Sequence, residues 1–175
     1  MFKLKNILFE RKDKPANNVV ILMGGLDNRK GDLDINQQVK KLQIKLPTNC
    51  NVIGHRYTAL KSVLASIVAY PNSIVVLFSA GCGNSSTVAK AMSDKTNLYI
   101  VEPYAKSSNT VASVVGAVQQ GVPAANVLLG SSIERGKGTV AGATTTPDIK
   151  GGLMASHWNA LTFVGGLIAN KINKK

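Results

Sequence analysis

Five strand-sized apolar runs recur along this chain, and a segment with helical spacing follows each of them. The runs are 18–23, 51–55, 73–78, 97–101 and 125–129. Val, Ile and Leu fill them almost without polar alternation, as in strands covered on both faces. Between the first two runs, Ile35, Val39, Leu42 and Leu46 repeat at helical spacing, with Asp34 as N-cap and Pro47 as stop. Leu60, Val63, Leu64, Ile67 and Val68 mark a second helix, closed by Pro71. A third is expected from the Ser79–Gly83 turn to about Met92, and a fourth from Thr110 to Gln120. Trp158, Leu161, Val164, Leu167, Ile168 and Ile172 give a closing amphipathic helix. The economical architecture is α/β: a doubly wound, mostly parallel, five- to six-stranded sheet with helices on both faces. A sixth, short strand has room at Thr139-Val140-Ala141, within the Gly-, Ser- and Thr-rich stretch 130–156.

The 175 residues divide into a basic N-terminal arm, 1–17, and a single α/β domain, 18–175. Apolar residues make up 45% and aromatics only 5%, so the core must be mostly aliphatic. No apolar run reaches the roughly 20 residues that a membrane span needs. The start of the chain lacks an apolar stretch long enough for export, so synthesis in the cytoplasm is expected. Incorporation into a larger assembly stays compatible with that.

The formal charge is +12, with lysines gathered at both ends: Lys3, Lys5 and Lys14 at the start, Lys171, Lys174 and Lys175 at the finish. Such ends suit an acidic partner. Aromatic interleaving is missing there, so a base-stacking surface for nucleic acid is not indicated. Two cysteines, Cys50 and Cys82, make neither a disulfide framework nor a zinc site. No cofactor and no metal are expected.

In parallel sheets, function gathers in loops at the carboxyl ends of the strands. After the strongest run stands Ser79-Ala80-Gly81. A nucleophilic Ser on a sharp strand-to-helix turn needs small neighbours, and these supply them. The Ala80 N–H is one oxyanion donor; Gly25 and Leu26, in the loop after the first run, lie where a second is needed. His157 is the base, expected just before the closing helix, while His55 reads as structural support or a substrate contact. Glu134 is the first choice for the acid that orients His157, then Asp148, then Glu102.

This order of strands and residues, from 18 to 172, resembles a stripped-down α/β-hydrolase. The resemblance implies acyl transfer to water, with Ser79 attacking an ester-like carbonyl and His157 moving the proton. The substrate would be a small-molecule or polymer ester. The elbow of that family, Gly-x-Ser-x-Gly, has Leu77 here in its first place and Gly81 in its last. Leu77 is expected to crowd the turn. Another register makes Cys82 the nucleophile, between Ala80 and Asn84.

Two other readings use the same residues. Gly81-Cys82-Gly83-Asn84-Ser85-Ser86 approaches the G-x-G-x-x-G fingerprint, with Glu102 about 20 positions on, suiting a nucleotide- or phosphate-binding Rossmann-like domain. A non-catalytic structural or interaction module is the third, favoured by only nine acidic residues in the chain.

Overall fold

The computed structural model of the chain describes residues 18–27, 30–103, 108–130 and 140–174. The arm at 1–17, Glu134 and Thr139 lie outside these residues. Six strands form one sheet: β1 (Asn18–Met23), β2 (Cys50–His55), β3 (Ile74–Phe78), β4 (Leu98–Val101), β5 (Val127–Gly130) and β6 (Thr144–Thr146). Their order is β2-β1-β3-β4-β5-β6, and every neighbouring pair is parallel. The helices are α1 (Ile35–Gln43), α2 (Leu60–Ala69), α3 (Ser85–Ala91), α4 (Ser108–Gln119) and α5 (Leu153–Ile172). This is the doubly wound α/β arrangement.

The handedness of the connections decides which face each helix covers. A strand–helix–strand unit in a parallel sheet is almost always right-handed. The chain steps one way from β1 to β2, then the other way from β2 through β3, β4 and β5. Accordingly α1 lies on one face, and α2, α3 and α4 on the other. Val63, Val88 and Ala117 pack with Ile21, Leu77 and Ile100 on the second face. Leu42 of α1 shares the first face with Trp158, Leu161, Val164 and Ile168 of α5, against Val20, Val76 and Phe78. Both faces are therefore dry, which is why the strands carry aliphatic residues without alternation. Among the described residues, no helix is long and apolar enough to cross a membrane.

Local chemistry sets the ends of the elements. Asp34 caps α1 through a reciprocal box: its carboxylate accepts from Gln37 N–H at 2.9 Å, and the Gln37 side chain accepts from Asp34 N–H at 3.0 Å. Helix α1 ends at Gln43, a turn earlier than the apolar spacing suggests, because the residue before Pro47 is steered away from helical geometry. Three expectations need correction. The sixth strand is Thr144–Thr146, five residues beyond its expected place, because a turn at Gly142 (φ +84°) precedes it and the β-branched Thr run pairs with β5. Helix α5 begins at Leu153, so His157 lies inside it rather than before it. Leu77 does not crowd the turn: it is fully enclosed among Ile21, Cys82 and Ile100, and a 3-10 segment (Ser79–Asn84) separates β3 from α3.

Helix α5 closes the molecule by seating on α1. Thr162 Oγ1 donates to the Lys41 carbonyl at 3.1 Å, and Gly165 faces the Leu42 carbonyl. A Cβ on Gly165 would stand 2.5 Å from that oxygen, whereas a Cβ on Gly166 would meet only Lys45 Cβ at 4.0 Å. Gly165→Ala is therefore expected to destabilise by about 2 kcal/mol, because backbone must move. Gly166→Ala should be neutral or gain up to about 1 kcal/mol from helix propensity. Urea unfolding midpoints measure both; equal effects would mean that α5 does not sit on α1 in this register.

Candidate functional site at the carboxyl edge of the sheet

Strands β1 and β3 are neighbours, yet their following helices go to opposite faces. Open sheets of this kind generally bind their ligands at such a reversal point. Two loops line it: Gly24–Asp27 after β1 and the 3-10 turn after β3. The backbone is forced there. Ser79 has φ +51°, the left-handed region that costs a non-glycine residue roughly 1–2 kcal/mol. Close packing holds it: a Cβ on Gly81 would lie 2.7 Å from the Met23 carbonyl oxygen, and one on Gly25 would lie 2.8 Å from Ser79 Cβ. Only glycine at 25 and 81 lets the turn press against the end of β1.

Among the described residues, one other non-glycine residue has positive φ: Glu102, at +52°, directly after β4. Its N–H donates to the Leu128 carbonyl at 2.8 Å, and its side chain turns inward, leaving the residue 1% exposed. Oε1 accepts from Thr146 Oγ1 at 2.8 Å, and Oε2 faces His157 Nδ1 at 3.3 Å. Gly130 makes room for this carboxylate, since a Cβ there would stand 2.5 Å from Oε1. His157 is buried, with its ring 4.7 Å from that of Phe78, the residue before Ser79. Trp158 packs edge-on against it at 5.0 Å. Three strands and one helix thus bring a carboxylate and an imidazole together beside Phe78; Ser79, the next residue, is 8% exposed and its hydroxyl makes no hydrogen bond to His157.

The first loop is pinned from two sides. Gln38, fully buried on α1, accepts from Gly25 N–H at 2.9 Å and donates to the Leu33 carbonyl at 2.7 Å. The Gly25 N–H, expected to face a substrate oxygen, is therefore occupied by Gln38, which corrects that assignment. Leu26 follows it, half-buried. Asp27 is gripped by Arg56 at 2.7 Å, and this bond raises the guanidinium pKa above its ordinary value. Ala80 is half-buried in the 3-10 turn, whose first amides have no partner within the turn itself.

The remaining candidates fall elsewhere. Asp148 is exposed on the segment before α5. Cys82 is fully buried beneath the turn, with Sγ 3.3 Å from the Leu77 carbonyl and 3.4 Å from that of Val101. No surface reaches that thiol, so it does not present a nucleophile. In the glycine-rich segment, Ser85 Oγ donates to the Cys82 carbonyl, Ser86 N–H to Ser113 Oγ, and Gln120 Nε2 to Ser86 Oγ. Both serines are thus engaged internally, and Glu102 turns toward Thr146 and His157. A phosphate or ribose would have to displace these contacts. A cavity of about 240 Å³ lies at the opposite, amino-terminal edge, beside Asn18, Tyr70, Pro71 and Lys171. It is far from this chemistry.

Sequence reasoning missed Thr146, Gly130 and Gln38. Only Gln38 left a signal, as a polar residue on the apolar face of α1 between Ile35 and Leu42. Comparison of the chain with protein-family models, with curated proteins and with solved structures finds no match.

His55, at the end of β2, is half-buried and shares a 2.9 Å hydrogen bond with Ser66 Oγ of α2. Burial lowers its pKa from the ordinary 6.5. The unfolded chain thus takes up this proton first as pH falls, so stability is full above about 6.5 and declines below it toward the folded-state pKa. In urea melts at pH 7.5 and 5, His55→Gln should lose less stability on acidification than the parent does. An identical loss in both would clear His55 of any part in it.

Proposed function

We propose that this protein is a serine hydrolase of the α/β-hydrolase type, cleaving an ester-like bond with Ser79 as nucleophile, His157 as base and Glu102 as orienting acid. The observation that carries the reading is the pair of left-handed residues, Ser79 and Glu102, at adjacent strand ends, with His157 Nδ1 at 3.3 Å from the Glu102 carboxylate. Strain of this kind persists only where the surroundings over-determine it, and it clusters at functional sites. The chain order Ser, acid, His is that of the α/β-hydrolases. Glu102 takes the role for which Glu134 ranked first by position, because its carboxylate is buried against the imidazole.

The chemistry follows from those roles. A carboxylate at Nδ1 fixes the tautomer that bears its proton there, which leaves Nε2 basic. The Ser79 oxygen adds to the ester carbonyl carbon while its proton passes to His157 Nε2. The oxyanion is stabilised by amides of the turn, Ala80 first, with the Leu26 N–H as the second donor in place of Gly25. The intermediate collapses, the C–O bond to the alcohol breaks, and the alcohol leaves with the proton from His157. Water then adds to the acyl-serine, gives its proton to Nε2, and releases the acid as the proton returns to Ser79. Thr146 holds the second carboxylate oxygen, which keeps the acid from rotating away.

A fluorophosphonate probe is expected to label Ser79, as read by peptide mass spectrometry. Ser79→Ala should abolish labelling without loss of folding. Glu102→Gln should slow labelling about 100-fold or more, because the tautomer is no longer fixed. Absence of any adduct on folded protein would refute the hydrolase and leave a structural or interaction module.

A further inference from the structure

Six large apolar side chains are exposed among the described residues. Three stand at the amino-terminal edge of the sheet: Ile44 ends α1, and Val68 and Tyr70 lie at the end of α2. The other three, Ile149, Leu153 and Met154, are 41%, 53% and 50% exposed and stand together at the opposite edge. Helix α5 starts there, because the chain leaves β6 at its carboxyl end and turns back down the sheet.

Leu153 and Met154 precede His157 by four and three residues, so all three share one helix face, about 5.4 Å of rise apart per turn. Ile149 is folded back onto the same turn: its N–H donates to Ser156 Oγ at 2.9 Å. The result is a short apolar lip standing directly above the imidazole. Leucine and methionine left half exposed in the first turn of a helix add little to the core, and polar residues are favoured at such positions. The lip is far smaller than the roughly 800 Å² per partner of a stable protein interface. Three side chains at one helical turn can cover part of one hydrocarbon chain, not the face of a protein partner.

We infer that Ile149, Leu153 and Met154 form the acyl-binding lip of the site, and that the substrate is an ester of an apolar, medium-length carboxylic acid. This rests on the reading of Ser79, His157 and Glu102 as a hydrolytic site. The acyl chain, leaving the carbonyl at Ser79, runs past His157 and lies along the first turn of α5. Each methylene gains only part of the transfer energy of full burial, since the lip is open on one side.

The test uses the p-nitrophenyl esters of acetate and octanoate with the full chain. The parent should show kcat/KM about tenfold higher for octanoate, a discrimination within reach of a half-open apolar surface. The double variant Leu153→Ser, Met154→Ser should bring that ratio to within about twofold, because half-open contacts of this kind carry the whole preference. Val68→Ser, at the opposite edge, should keep the parent's ratio. A parent without chain-length preference, or a double variant with the preference intact, would overturn the lip. So would a fluorophosphonate adduct on Ser79 in protein that does not turn over octanoate; the hydrolytic reading itself would survive each of these. If neither ester is cleaved and Ser79 takes no adduct, both fall together.

Discussion

The contact on which the arrangement turns is the approach of the β3 turn to the end of β1. The Gly81 backbone presses on the Met23 and Gly24 carbonyls, and Gly25 in turn presses on Ser79. Nothing larger than hydrogen fits between them. This contact exists because β1 and β3 are neighbours whose chains depart toward opposite faces. The reversal leaves two loops side by side with no helix between them, and glycine lets them close on each other. Ser79 is held in left-handed geometry as a result. Gln38 ties the first loop down from within α1, so the helix that covers one face also fixes the loop at this edge.

A second constraint is the burial of Glu102. A carboxylate taken from water costs several kcal/mol unless its oxygens are satisfied. Here one oxygen has Thr146 and the other faces His157, while the Gly130 backbone stands aside. Those residues come from β6, α5 and β5. The three-residue strand β6 is too short to add much to the sheet, yet it delivers the hydroxyl that holds one oxygen of the Glu102 carboxylate.

Much of the fold was legible because its signals are local. The five main strands show as unalternating aliphatic runs, and Asp34 with Gln37 announces the start of α1. What escaped was set at long range. Thr144–Thr146 lacks an aliphatic run, so only pairing with β5 identifies it as a strand. The start of α5 was hidden because Leu153 and Met154, although in phase with the helix, follow two glycines in a Gly-, Ser- and Thr-rich stretch and stand half exposed at the sheet edge. At the site, the positions of Ser79 and His157 at the carboxyl edge followed from the alternation of elements. The carboxylate that meets His157 did not, because sequence gives the place of a carboxylate but not the direction of its side chain: Glu102 turns inward through a left-handed kink that no local pattern demands. Gly25 failed as a donor for the same reason, since its partner Gln38 lies thirteen residues away on another element.

The seating of α5 on α1 has a consequence for how the protein is made. The sheet order places β1, β2 and β3 together early, and these can pair while the ribosome is still translating the second half of the chain. The imidazole cannot join them until α5 has emerged and its Gly165 has slid against the Leu42 carbonyl. Until then Glu102 sits at an unroofed edge, where water can solvate it. The contact between Glu102 and His157 thus cannot form before α5 packs, and a nascent chain that stalls before α5 carries a nearly complete sheet with no imidazole at its edge.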